Sequence, residues 1–235
     1  MTSRLIAQLK QRFASEVLWH FVGRTRSDSG RYEDLLSILR QGLQLGKGKE
    51  EFRFYCKRTK KWRSLEGYPA VCLADIPLKD LHIHAERYGE YAIGFHKESV
   101  IRYGFNPVLY ANQHSGVFHD FIFLRDRLED RLRKLSVEAA TDLQKLLLLL
   151  GTVTKAGNLQ ANPVADIDWD KAQVNNFYYE REWRHVLPWP FQASDVAMVI
   201  LPDRRITDFL RDRKSSGLKI DERTPVLPYS MIYRL

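Results

Sequence analysis

Between residues 118 and 150 the apolar positions recur at three- and four-residue intervals, with charged residues between them. Phe121, Leu124, Leu128, Leu132 and Leu135 form one series, and Leu143, Leu147 and Leu150 form another. That period puts one apolar stripe along a helix. Ser136 separates the two series and predicts two helices rather than one. On either side the pattern changes to short runs rich in β-branched and aromatic residues, at 17–22, 71–76, 91–95, 108–111, 177–187, 196–201 and 226–234. Strands at both ends of a chain with a helical block between them do not fit the alternating order of a doubly wound α/β sheet. No period of 20 to 50 residues is present to suggest a repeat array. The expectation is a single α+β domain over residues 1–235, with a helical insertion at about 117–151.

Shorter helices fit between the strands. Residues 3–13 carry Leu5, Ile6, Leu9 and Phe13 on one helical face. Ser27-Asp-Ser-Gly30 offers cap chemistry ahead of a helix through 33–40, closed by Gly42, Gly46 and Gly48. Residues 80–88 read as a helix ended at Gly89, and residues 206–214 as another. Residues 158–170 read as a polar loop containing Asn162-Pro163.

Hydrophobic residues make up 44% of the chain, enough for a real core. Lys and Arg exceed Asp and Glu by 37 − 29 = 8, and the isoelectric point is near 9.4. This excess suits an acidic partner such as nucleic acid, a dinucleotide or an acidic protein face, and equally serves solubility. Two cysteines, Cys56 and Cys72, cannot build a disulfide framework, and their reduced state fits the cytoplasm. The N-terminus lacks the apolar core of a secretory signal, and the longest apolar stretch, residues 146–150, is too short to cross a bilayer.

Few residue patterns bring specific chemistry. His82 and His84 stand two apart on a predicted helix and point in different directions, a poor grip for a metal. Asp166, Asp168 and Asp170 lack the glycine and distal glutamate of a calcium loop. No metal site is therefore expected. The run from Tyr179 to His185 is more unusual, because strand alternation puts Glu180, Glu182 and Arg184 on one face. Two carboxylates beside an arginine could bind a cation, orient a sugar hydroxyl or stabilise a developing positive charge. The same residues could equally form ion pairs on a solvated outer face. His20 in an apolar strand and Tyr88 at a helix end each have a plain packing role open to them.

A second unusual stretch alternates aromatic and basic residues within 50–67. Lys57, Arg58, Lys60, Lys61, Trp62 and Arg63 would form the basic end of a hairpin. Such a patch could follow a phosphate backbone and stack on exposed bases, or simply be solvated.

Taken in order, these motifs resemble a known family. A strand histidine leads into a helix with a Leu-Leu-Ser-Ile-Leu core. CLADIPL (72–78) and ERYGEYAIGF (86–95) follow, and YEREWR (179–184) comes late. Over about residues 18–199 this set closely resembles the AbiGi family of abortive phage resistance proteins, described as antitoxins. More distantly, the order of histidine, tyrosine and glutamate resembles the His-Tyr-Glu arrangement of ADP-ribosyltransferase folds, including the DNA-modifying DarT toxins.

The second resemblance implies an ADP-ribosyltransferase-like split mixed sheet with flanking helices and NAD as substrate. Glu182 would hold a ribose hydroxyl and stabilise the oxocarbenium-like state. His20 would bind the adenosine-side ribose, Tyr88 would stack on the nicotinamide, and Arg24 or Arg26 would neutralise the diphosphate. The acceptor would be a nucleic acid or a protein, or NAD would simply be consumed. The alternative is a non-enzymatic antitoxin that holds a partner toxin or nucleic acid.

Overall fold

The computed structural model describes residues 15–23, 26–46, 50–56, 60–112, 115–132, 134–157, 180–215 and 217–234. The elements of the first half are β1 (Val17–Phe21), α1 (Asp28–Gln41), β2 (Glu50–Cys56), β3 (Lys61–Gly67), β4 (Val71–Ala74), α2 (Leu81–Tyr88), β5 (Ala92–His96), α3 (Lys97–Tyr103), β6 (Asn106–Pro107) and β7 (Leu109–Asn112). The second half adds α4 (Gly116–Leu132), α5 (Val137–Val153), β8 (Thr154–Gly157), β9 (Glu182–His185), β10 (Val196–Leu201), α6 (Ile206–Ser215) and β11 (Val226–Pro228). The α+β class expected from the sequence is what the chain adopts. The helix expected at 3–13, the polar loop at 158–170 and the strand start at 177–179 lie outside the described residues.

The chain divides into two compact units interleaved in sequence. One draws on residues 1–44, 71–105 and 187–235, and the other on 45–70 and 106–186.

The first unit is a mixed sheet in the order β11-β10-β5-β1-β4. Its neighbours run antiparallel except β10 and β11, which are parallel. Alternation along β1 sorts its side chains between two buried faces. Trp19 faces a cluster that includes Ala74, Ala92, Ile200 and, from α2, Leu81 and Ala85, with Phe21 packed against it. The indole Nε1 donates to the Ile76 carbonyl (2.9 Å), so a ring buried for its area keeps its one donor satisfied. Gly94 stands opposite Trp19 in the register, where a Cβ would meet the ring at 2.8 Å. Only a residue without a side chain lets the indole lie flat on β5 there.

On the other face Leu18 stands opposite Phe95 and His20 opposite Ile93. Here Leu18, Ile93, Phe95, Val199 and Leu201 are buried. The C-terminal end of α1 docks at this side. Gly42 turns with a φ of 95°, Leu43 bridges Trp189, and Trp189 packs on Phe95 with ring centroids 4.7 Å apart. Helix α1 starts at Asp28, earlier than the apolar period suggests, because the Ser27 hydroxyl accepts from Gly30 N (3.3 Å) and caps it.

Two further differences have simple causes. Helix α3 is too short for a period to be recognised in the sequence. The C-terminal run continues as a strand only to Pro228 and then tightens into a 3₁₀ turn over Tyr229–Arg234. The turn puts Tyr229 and Ile232, three apart, together into the Trp19 cluster.

In the second unit β2 and β3 form an antiparallel hairpin with Phe54 opposite Arg63 and Tyr55 opposite Trp62. Helices α4 and α5 realise the two predicted helices of the insertion. The Ser136 hydroxyl that divides them caps α5 by accepting from Ala139 N. Strands β7 and β8 pair in parallel, and β6 pairs with β9 so that Asn106 lies opposite Arg184. Among the described residues no helix is long and apolar enough to cross a membrane.

Candidate functional site

The second unit contains a buried charged cluster built on β9. Glu182 and Arg184 are two apart and therefore share a face, and they are only 6% and 5% exposed. The guanidinium takes the carboxylate at both ends, Nε to Oε1 at 2.9 Å and a terminal nitrogen to Oε2 at 3.2 Å. Its remaining arm donates to the Thr152 carbonyl at 2.8 Å. This is the planar, two-point geometry that makes arginine the preferred cation for a carboxylate out of water.

The backbone around the pair is pinned as well. Glu182 N donates to the Tyr110 hydroxyl oxygen (2.6 Å), and Val108 N donates to the Glu182 carbonyl (2.8 Å). Burial raises the Tyr110 phenol above its ordinary pKa, with the charges of Glu182 and Glu180 adding to the shift. Thr152 accepts at its hydroxyl from Tyr68 N (2.8 Å), tying the end of α5 to the strand side of the unit.

The expected strand over 177–187 is shorter than the alternation implied. It begins at Glu182 because Arg181 adopts a left-handed conformation with a φ of 43°. Glu180 is buried but not aligned with the pair by the pleat.

The other two residues of the proposed triad belong to the first unit, and they part company at β1. His20 is half-buried on the Leu18 face, with Nδ1 3.1 Å from the Cys72 carbonyl in donor geometry. Burial pushes its imidazole below the ordinary 6.5, and the carbonyl partly opposes that shift. Tyr88 is on the Trp19 face. Its ring stacks on His84 at 5.2 Å and tilts against Phe21 at 5.9 Å, with the Arg87 guanidinium over it. His20 and Phe21 are neighbours on a strand and point to opposite sides, so His20 and Tyr88 do not share a face of the sheet. At the Gly89 end of α2 lies a shallow apolar depression lined by Phe21, Ala85, Ile200 and Tyr229 among others.

Arg24 lies outside the described residues. Arg26 is exposed and pairs with Asp34 at 3.2 Å, while its carbonyl accepts from Arg31 Nε. Of the basic hairpin residues, Lys57 and Arg58 lie outside the described residues, and Arg63 is on β3. Lys60 and Lys61 are exposed, and Trp62 is 49% exposed. Among the described residues no group of three or more His, Cys, Asp or Glu is arranged to hold a metal ion. His82 bonds the Lys79 carbonyl and His84 stacks on Tyr88, two different directions from one helix.

Two ionic groups of the first unit escaped the sequence reading. Asp28, in the first turn of α1, accepts from the Tyr91 hydroxyl (2.7 Å), from Arg205 Nε (2.9 Å) and from Arg204. These bonds, that from Arg204 foremost, hold its carboxyl well below the usual carboxylate range. Burial and the Asp28 charge push the Tyr91 phenol up to about 12. Asp75, buried, accepts from Lys97 Nζ (2.8 Å) and from Ser15 N (3.1 Å). CLADIPL and ERYGEYAIGF contain Asp75 and Tyr91, so the motifs marked these residues, but their partners are distant in sequence.

Comparison with known proteins gives one family. Residues 47–200 match the model of the family described as "Putative abortive phage resistance protein AbiGi, antitoxin". That stretch includes the hairpin, Tyr88 and Glu182, while His20, Arg24 and Arg26 precede it. The chain is similar to the abortive phage resistance protein AbiGi of Lactococcus lactis subsp. cremoris, 28% identical over 154 residues. The match covers 56% of this chain and 57% of that relative, so the chain spans little more than half the relative's length. No solved structure matches the chain.

Proposed function

We propose, from the premise that the chain belongs to the AbiGi family, that it acts in phage defence as a non-enzymatic antitoxin, restraining a toxin partner by binding it. The single observation that carries this reading is the state of Glu182. Its carboxylate is buried and held at both oxygens by Arg184, whose third contact is a backbone carbonyl. A carboxylate that must receive a ribose hydroxyl and face a growing positive charge needs an oxygen turned to the ligand. Here the guanidinium neutralises the charge and occupies that geometry.

The ADP-ribosyltransferase-like reading also asks for an imidazole and a phenol around one nicotinamide and its ribose. His20 and Tyr88 take opposite faces of β1, and the depression at the Gly89 end of α2 is shallow and apolar. The residues present do not fit NAD as bound substrate. Glu182 serves instead to fix β9 against Thr152 at the end of α5 and to hold the second unit in shape.

Growth of a host carrying the cognate toxin tests the reading. Co-expression of this chain restores growth and yields a stable complex of the two proteins. Rescue persists in His20→Gln and Tyr88→Phe, which keep the packing while removing the groups that catalysis would need. Loss of rescue in both variants, with their folding intact, would mean that chemistry rather than binding is at work.

A further inference from the structure

We infer that the outer face of the α4–α5 helix pair is a dimer interface that takes a second copy of this chain, separate from restraint of a toxin. Four residues, 133–136, join the two helices, a connection short enough to turn α5 back antiparallel along α4, and the helices touch. Leu124 on α4 is 58% exposed, and on α5 Leu146 is 50% and Leu149 41% exposed. Leu146 and Leu149 stand three apart and share one side of α5. Leu124 is eight residues back from Leu132, and Leu146 is nine on from Val137, so the antiparallel turn brings them to about one level. A single exposed leucine is ordinary, but three at one level of two neighbouring helices make a patch.

The charges nearer the connection say what covers that patch. Arg127 and Arg131 continue the Leu124 side of α4 at three and seven residues on, and Glu138 and Asp142 continue the Leu146 side of α5 at eight and four residues back. All four are exposed, and by the same count from the connection Arg131 is level with Glu138 and Arg127 with Asp142. Among the described residues Arg127, Arg131 and Glu138 form no ion pair, and Asp142 meets Lys145 at 3.5 Å in an exposed pair of little strength. A basic ridge on α4 beside an acidic ridge on α5 is complementary to the same face turned by half a rotation about an axis parallel to the helices. That rotation lays α4 of each copy on α5 of the other, with arginines against carboxylates at one level and leucines against leucines beyond them. Such an isologous contact satisfies both ridges at once. An acidic or a basic peptide would match one ridge and be repelled by the other, and an anionic lipid surface would meet the carboxylates. Helices of 17 residues make a face about 25 Å long and, at two helix diameters, about 20 Å across. Its projection is on the order of 500 Å² before side-chain relief is added, against about 800 Å² per partner in a standard interface. A reversible dimer of micromolar strength suits that area.

Sedimentation velocity of the full-length chain alone, across micromolar concentrations, tests this, and a monomer–dimer equilibrium is the result expected. Leu146→Glu with Leu149→Glu raises the dissociation constant at least about 30-fold, the size of a hot-spot loss. Arg127→Glu with Arg131→Glu weakens self-association, and so does Glu138→Lys with Asp142→Lys, because each sets like charges face to face. Mixing these two charge-reversed chains restores a dimer to within about 10-fold of wild type, since both α4–α5 contacts then join opposite signs. Thermal melting establishes that each variant is folded, as expected for exposed positions. Three results would overturn the inference: a monomer at every concentration, a dimer indifferent to the leucine variant, or folded charge-reversed chains that stay apart when mixed. A monomeric chain whose leucine variant loses the toxin complex would also overturn it, and would give this face to the toxin.

Discussion

Breaking the Glu182–Arg184 pair by truncating one partner is the perturbation that speaks most directly to what this carboxylate is for. Arg184→Ala removes the two bonds to Glu182 and the bond to Thr152 O, and leaves a carboxylate that is 6% exposed without its cation. Truncating one partner of a buried ion pair costs about 3–5 kcal/mol, because the remaining charge has lost water and has nothing in its place. A domain of this size shifts its melting temperature by about 2–4 °C per kcal/mol, so the loss amounts to about 6–20 °C. Glu182→Ala costs a similar amount for the same reason. Replacing both residues together, Glu182→Leu with Arg184→Met, removes the stranded charge and recovers most of the loss, since apolar replacements of a buried pair are often neutral. The assay is thermal and urea unfolding of the four proteins, read as a double-mutant cycle with a coupling of several kcal/mol. Single losses below about 1 kcal/mol, the size found for exposed pairs, would refute the reasoning. So would a double variant that loses the sum of the two singles.

Other substitutions test the fold around the site. Burial holds His20 below 6.5, so the unfolded chain binds a proton that the folded one refuses. Stability therefore falls as pH drops through about 6.5, by up to about 1.4 kcal/mol per pH unit until the folded ring protonates, and His20→Gln removes that dependence in pH-resolved melts. Asp75→Ala strands Lys97 and Ser15 N, and costs about 2–4 kcal/mol in urea unfolding, while Asp75→Asn recovers part by keeping an acceptor for Ser15. Gly42→Ala sets a Cβ 2.5 Å from the Trp189 carbonyl oxygen at a φ of 95°, and lowers stability by at least about 1–2 kcal/mol in thermal melts. No loss there would mean that the α1 end and Trp189 are not fixed as described.

Much of the fold could be read from the sequence because it depends on local pattern. The apolar stripe over 118–150 and the break at Ser136 became α4 and α5. The alternation at 17–22 and 196–201 became β1 and β10, both lined by core residues. Where the reading failed, tertiary contacts decided. Tyr229 and Ile232 reach the same cluster only from a 3₁₀ turn, so a run with strand composition ends as one. Arg181 takes a left-handed φ that nothing in its residue type signals, and this ends the alternation that seemed to align Glu180 with Glu182.

The candidate site shows the same division. That Glu182 and Arg184 share a face followed from period two, but that they are buried and close on one another required Thr152 and Tyr110, which come from other elements. Proximity of motifs in sequence order said little about His20 and Tyr88. Their separation is set by which way a single strand residue points, and Phe21 rather than His20 is the β1 residue that meets Tyr88.

Incubation of the purified chain with labelled NAD, a host lysate, DNA and RNA measures the central claim most directly. The account predicts no transfer of label to any macromolecule and no NAD loss above the level of Glu182→Gln. Label that wild type transfers, and that both Glu182→Gln and His20→Gln fail to transfer while remaining folded, would contradict it.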